Sequence, residues 1–212
     1  MSQQCKIKIC GIQNVQTALF CAKLGVDFIG INFSPFSKRK VELSVAGTIC
    51  TSLQNTNLAT KPRLVFLFYK NSPEFIRSVL QEYKPDFVQF VTEDSLDTLY
   101  ALQEFPFPLI PQFPIKPNFQ QKDLYRYNTE FMILDAYSKG EGGGTGKSFD
   151  WELLQGIERK YFLAGGLNPK NIAQAIQTVS PYGVDVASGV ESEPGKKDLG
   201  LIEEFVTNAQ KK

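Results

Sequence analysis

The sequence predicts a single closed (β/α)₈ barrel of the TIM type, spanning residues 1–212 with short loops. Three observations predict it. Eight strand-like segments alternate with eight helix-like ones, which gives a parallel sheet joined by right-handed crossovers. Most of the strands are close to continuously apolar, the pattern of strands covered on both faces. No segment is left over for a second domain. The chain's 212 residues fall below the ~250 usual for the fold, so the connections must be short. An open doubly wound sheet is the rival topology.

The elements follow in order. "KIKIC" (6–10) alternates Lys6, Lys8 and Cys10 with Ile7 and Ile9, a strand's period of two, and Gly11 stops it. Val15, Ala18, Leu19 and Ala22 then share one helix face, ended by Gly25. "DFIGINF" (27–33) is strand and "SVAGTICTSLQN" (44–55) a weaker helix. "RLVFLFY" (63–69) is strand, followed by helix 72–83 with Ser72 as N-cap and Pro73 in the first turn. "DFVQFV" (86–91) and helix 95–105 make the fourth unit. In "PLIPQFPI" (108–115) three prolines argue for a short or distorted strand. A marginal helix, "NFQQKDLYRYN", follows it. "EFMILDAY" (130–137) is strand and "SFDWELLQGIE" helix. "KYFLAGG" (160–166) is strand, leading into a helix with Asn168 as cap and Pro169 at its first position. "GVDVASGV" (183–190) is the last strand, and Ile202, Phe205, Val206 and Ala209 form one face of the last helix.

Composition narrows the chemistry. Twenty-three basic and 22 acidic residues leave a net charge of +1, so no bulk attraction to nucleic acid or an anionic membrane is expected. No apolar run is long enough for a membrane span, and "MSQQCKIK" does not read as a signal peptide. A cytoplasmic location is expected. The four cysteines form no CxxC pair and there is no histidine. Neither a structural zinc site nor a disulfide framework is expected. Acid–base work then falls to carboxylate, thiol, lysine or tyrosine.

In a barrel of this kind the active site lies at the C-terminal ends of the strands. That selects Cys10, Gln89, Asp135 and the segments "SPFSKRK", "AGGLNP" and "VASGVE". Gly165 and Gly166 precede a helix, and Ser188 and Gly189 follow the last strand. Glycines let backbone N–H groups approach an anion, and loops 7 and 8 are the common phosphate site of this barrel. Bulky substitution at Gly166 or Gly189 is expected to raise KM more than it lowers Tm. "GEGGGTGKSFDW" (140–151) is not a nucleotide P-loop, because Glu141 stands where the first glycine is needed. It reads as a loop that closes over a ligand. Cys10 and Asp135 sit three strands apart and could face each other across the mouth. To act as base and acid, the thiol must be lowered by positive charge and the carboxyl raised by burial.

"KICGI", "IGINFSPFSKRKV", "FVQF", "ILDA", "GGTGKSFDW", "LAGGLNPKNI" and "VDVASGVESEPGKKD" together resemble the phosphoribosylanthranilate isomerase family of tryptophan biosynthesis, from end to end. The resemblance implies a cofactor-free, metal-free Amadori rearrangement of a phosphorylated aminoaldose. It puts the general base on Cys10 and the general acid on Asp135. It places Arg39 against the anthranilate carboxylate, Gln89 and Asp185 in the substrate site, and Gly144, Gly165, Gly166, Ser188 and Gly189 around the phosphate. The implied partner is the small phosphorylated substrate, bound by a monomer or homodimer. Departures lie on strands 3–5. Val91 and Thr92 replace the family's usual His-Gly, "FLFYK" replaces Gly-Val-Phe-Val-Asn, and Pro111 stands where a strand-5 lysine is usual. Two alternatives follow. One is a barrel that binds a phosphorylated sugar with weakened catalysis. The other is a related sugar-phosphate isomerase, but those typically end strand 1 in aspartate.

Overall fold

A computed structural model describes residues 4–94, 96–116, 119–135 and 151–211. Eight parallel strands close into a barrel in the order of the chain. They are β1 (Lys6–Cys10), β2 (Phe28–Asn32), β3 (Arg63–Phe68), β4 (Phe87–Val91), β5 (Leu109–Pro114), β6 (Met132–Asp135), β7 (Tyr161–Ala164) and β8 (Gly183–Val186). β8 pairs with β1 through Lys6↔Gly183 to Ile9↔Val186, which closes the ring and excludes the open sheet. The helices outside are α1 (Val15–Lys23), α2 (Leu43–Gln54), α3 (Pro73–Glu82), α4 (Leu96–Gln103), α5 (Ile172–Val179) and α6 (Leu199–Gln210). Among the described residues no helix is long and apolar enough to cross a membrane.

The strand alternation sorts the core into two clusters. Ile7, Ile9, Ile29, Ile31, Phe66 and Val88 point outward and pack beneath the helices. Phe28, Val65, Phe87, Ile110, Phe131, Ile133 and Phe162 point inward. Their rings meet edge to face, with Phe28–Phe162 centroids 5.1 Å and Phe131–Phe162 centroids 5.3 Å apart. This aromatic plug fills the lower half of the barrel. Water and ions are thereby excluded from below, and only the C-terminal mouth is left for chemistry.

Four sequence expectations are corrected. β5 is a full strand despite its prolines. Thr92 N–H donates to Gln112 O on one side, and Ile115 N–H to Asp135 O on the other. By alternation, the missing N–H of Pro111 faces β6, where pairing begins only at Gln112↔Ile133. That of Pro114 faces β4, where pairing has ended at Val91↔Gln112. Neither proline removes a ladder bond. The connections after β5 and β6 show 3₁₀ turns at Gln121–Arg126 and Trp151–Leu154 in place of the expected helices. Residues 148–150 of the second lie outside the described residues. α5 starts at Ile172, because Asn168 and Asn171 bond to each other's backbone in a turn: Asn168 N–H donates to Asn171 Oδ1, and Asn171 N–H to Asn168 O. β8 ends at Val186. A 3₁₀ turn (Ser188–Val190) and a hairpin of β9 (Glu191–Glu193) and β10 (Lys196–Lys197) lie between it and α6. Sequence periodicity did not predict that hairpin.

Candidate active site

At the mouth, a cavity of about 670 Å³, counting its open side, is lined by Cys10, Arg39, Gln89, Asp135, Gly165, Gly166, Asp185 and Ser188. Eight of the ten residues singled out from sequence therefore line one cavity. Gly189 stands just behind it, and Gly144 lies outside the described residues. Gln112 and Asn32 also line the cavity and were not expected.

Lys6, Lys8 and Cys10 are on the inner side of β1, so the polar half of "KIKIC" faces the barrel axis. Lys8 is fully buried. Its Nζ donates to Asp185 Oδ1 at 2.9 Å and Oδ2 at 3.0 Å, from the register partner on β8. Burial alone would lower the Lys8 pKa, but the Asp185 carboxylate and the neighbouring Cys10 hold it above its ordinary value. Lys8 is thus a fixed cation sealed between the aromatic plug and the cavity, and its pairing with Asp185 is what makes the burial tolerable.

Cys10 ends β1 and is buried. Its register partner on β2 is Gly30, where a Cβ would lie 2.8 Å from Cys10 Sγ. A glycine there leaves the thiol its space. Gly11 follows with φ +76, and a Cβ on it would lie 2.5 Å from Arg39 Cδ. The cysteine–glycine pair that ends the strand thus has two purposes. Cysteine presents a thiol to the cavity, and glycine turns the chain and lets Arg39 lie across it.

Arg39 Nε and Nη2 donate to Glu191 Oε1 and Oε2 at 2.6 and 2.7 Å. Lys197 Nζ donates to the same Glu191 Oε1 and to Ala187 O, each at 2.7 Å. Gly195 N–H adds a bond to Glu191 Oε2. The unexpected hairpin therefore carries a carboxylate and a cation onto Arg39. Burial would raise Glu191, but hydrogen bonds from Arg39, Lys197 and Gly195 hold it at about 2. With Glu191 ionised, two cations and one carboxylate leave this cluster one positive charge in surplus. "ESEPGKKD" held the signal, as acid and base flank a turn, but only tertiary packing shows that they meet Arg39.

The condition set for Cys10 as a base, a thiol lowered by positive charge, is opposed by burial. Burial pushes its thiol up from the ordinary value; Asp185 adds to that, while Lys8 and Lys197 pull it down. The positive charge needed to lower the thiol is present, but desolvation outweighs it. On the opposite wall Gln112 Nε2 donates to Asp135 Oδ2 at 2.7 Å, and Gln89 Nε2 donates to Gln112 Oε1 at 2.7 Å.

Gly165 and Gly166 have φ of +91 and +65, which only glycine adopts without strain. A Cβ on Gly166 would meet nothing within 4 Å, whereas one on Gly189 would lie 1.8 Å from Leu167 O. Loops 7 and 8 are packed backbone against backbone at Gly189. Substitution there strikes the fold, contrary to the sequence expectation, whereas Gly166 offers free space.

Residues 7–208 match the family model described as N-(5'phosphoribosyl)anthranilate (PRA) isomerase. The chain is 44% identical to an N-(5'-phosphoribosyl)anthranilate isomerase of Leptospira borgpetersenii, over 98% of this chain and 96% of that one. A solved phosphoribosyl anthranilate isomerase, in complex with reduced 1-(o-carboxyphenylamino)-1-deoxyribulose 5-phosphate, superposes with a TM-score of 0.76. It is 32% identical, covering 97% of this chain and 98% of the other. A dimeric enzyme of the same name from Thermotoga maritima, solved as generated monomers, gives a TM-score of 0.77 at 31% identity, with 97% and 98% covered.

Proposed function

The chain belongs to the N-(5'-phosphoribosyl)anthranilate isomerase family, and on that premise we propose how its residues perform the family's reaction in tryptophan biosynthesis. The reaction is the Amadori rearrangement of N-(5'-phosphoribosyl)anthranilate to 1-(2-carboxyphenylamino)-1-deoxyribulose 5-phosphate, an aldose–ketose isomerisation, and this reading assigns it no metal or cofactor. The observation that carries the reading is the single cavity on which Cys10, Asp135, Arg39 and loops 7 and 8 converge.

Asp135, as the acid, gives its proton to the furanose ring oxygen while the C1′–O bond breaks. The anilino nitrogen's electron pair forms the C=N bond of the Schiff base. Cys10, through the thiolate fraction that burial limits and Lys8 and Lys197 favour, then takes the C2′ proton, and the freed pair forms the C1′=C2′ bond as the C=N electrons return to nitrogen. The enolamine tautomerises as its C2′ hydroxyl proton is lost to solvent and C1′ takes a proton from solvent, giving the ketone, and Cys10 loses and Asp135 regains a proton by exchange with solvent. Each positioned proton transfer is worth about 10²–10⁴-fold. The surplus positive charge of Arg39, Glu191 and Lys197 faces the thiol and suits the anthranilate carboxylate. Gln89 and Asp185 contact the sugar. The phosphate sits on the backbone of Gly165, Gly166, Ser188 and Gly189, and Gly144, outside the described residues, is assigned to the same phosphate. The protein works in the cytoplasm, as monomer or homodimer, and its partner is this small phosphorylated substrate.

Product identification tests the reading. Incubation with N-(5'-phosphoribosyl)anthranilate should yield a product of unchanged mass, changed retention and a borohydride-reducible ketone. Recovery of hydrolysed anthranilate alone, at the rate without enzyme, would refute it.

Two further results are expected. Lys197→Met removes one of the cations that pull the Cys10 thiol down. The rise of kcat/KM with pH, which reports ionisation of the free enzyme's base, should move to higher pH; an unmoved limb would separate Lys197 from the thiol. Gly166→Ala should raise KM for substrate and weaken competitive inhibition by inorganic phosphate, with stability lowered only by the cost of a non-glycine residue at positive φ, roughly 1–2 kcal/mol. Gly189→Ala should instead lower Tm sharply. Equal Tm losses in the two variants would contradict the packing described.

A further inference from the structure

Gln89 is 1% exposed, and its Oε1 is a buried acceptor with no hydrogen-bond partner among the described residues. A buried amide left half satisfied is unusual and calls for a cause. Its other end leads to Asp135 through Gln112: Gln89 Nε2 to Gln112 Oε1, then Gln112 Nε2 to Asp135 Oδ2, each at 2.7 Å. Every donor in this chain points toward Asp135, the arrangement an ionised carboxylate requires, since it can only accept.

We propose that Gln112 is a positioning residue for the acid, and that Gln89 and Gln112 form an amide relay whose direction reverses with the proton on Asp135. This rests on Asp135 being the acid of the isomerase reaction. Protonated Asp135 must donate, so Gln112 turns its amide over and presents Oε1 to the carboxyl. Its Nε2 then faces Gln89, which turns in the same way and accepts through its Oε1. Once Asp135 has given its proton away, both amides turn back and Gln112 donates to the new carboxylate. A glutamine satisfies both states because its two ends are nearly isosteric and of opposite polarity. Lysine could only donate to the acid, and an apolar side chain could do neither. The pair sits inside β4 and β5, on neighbouring strands of the barrel.

Among the described residues, few other charged groups stand near Asp135. From β5 the chain runs on to Lys116, paired with Glu93. β7 contributes Tyr161, on the outer face, and no charged group. Across the cavity stand Cys10, Asp185 paired with Lys8, and Arg39 paired with Glu191.

The test is a carbon and nitrogen NMR titration of the whole protein, with the Asp135 carboxyl assigned by its loss in Asp135→Asn. The side-chain amide nitrogen of Gln89 should titrate in the wild type with the midpoint of the Asp135 carboxyl. In Gln112→Met that dependence should vanish. The Asp135 midpoint should then rise by about one pH unit, because a bond to the charged form is roughly twice as strong as one to the neutral form and its loss weighs more. A Gln89 amide indifferent to Asp135 in the wild type would overturn the relay, even if the variant failed to fold. So would an Asp135 midpoint in Gln112→Met no higher than in wild type. Neither readout involves turnover, so an inactive wild type would sink the isomerase reading and leave the relay to be judged on the titration alone.

Discussion

The Cys10→Ser variant folds as the wild type does and turns substrate over at least ~10²-fold more slowly. Folding is spared because the oxygen is smaller than the sulfur it replaces, and Gly30 already leaves the site its space. Catalysis is not spared. A serine hydroxyl is a far weaker acid than a thiol, so the one positive charge in surplus at Arg39, Glu191 and Lys197 cannot hold it as an anion near neutral pH. For the thiol itself, burial raises the pKa and outweighs the opposing pull of Lys8 and Lys197. Steady-state kcat with a matched Tm measures the effect. A variant retaining a tenth or more of the wild-type kcat would remove Cys10 from the role of base.

Asp135→Asn gives the second large loss. Asparagine keeps the size, and it still offers an oxygen to Gln112 Nε2, the 2.7 Å bond seen in the structure. The fold and most of the binding therefore survive. What disappears is the proton for the ring oxygen, so kcat falls at least ~10²-fold with a smaller change in KM. The sign of the pH effect follows from the role. An acid works while protonated, so its ionisation lowers the rate as pH rises, and the variant should lose that part of the alkaline limb. An unchanged kcat would mean that another group opens the ring.

The fold was legible because eight apolar strands and their amphipathic helices carry local signals, and the order of chemistry-bearing strand ends came with it. Cys10 and Asp135 could be placed on one mouth by counting strands. Lys8 was visible only as one side of an alternation. That its face is the barrel interior follows from β1–β8 closure, which brings Asp185 beside it. Gln112 was hidden among prolines that argued for a short or distorted strand. Which ladder each proline faces decides that question, and strand register cannot be read from one sequence. Glu191 and Lys197 were hidden for a similar reason. Their short hairpin has no periodicity, and its purpose is contact with Arg39, 152 residues away from Glu191.

The most direct test of the account is the fluorescence of freshly made N-(5'-phosphoribosyl)anthranilate mixed with the purified wild-type protein in chelator-treated buffer. The account predicts an enzyme-dependent loss of the anthranilate-like emission, proportional to protein concentration and undiminished by the chelator. Emission that decays no faster than without protein, while the substrate still raises Tm, would contradict it and leave a barrel that binds the sugar phosphate without transforming it.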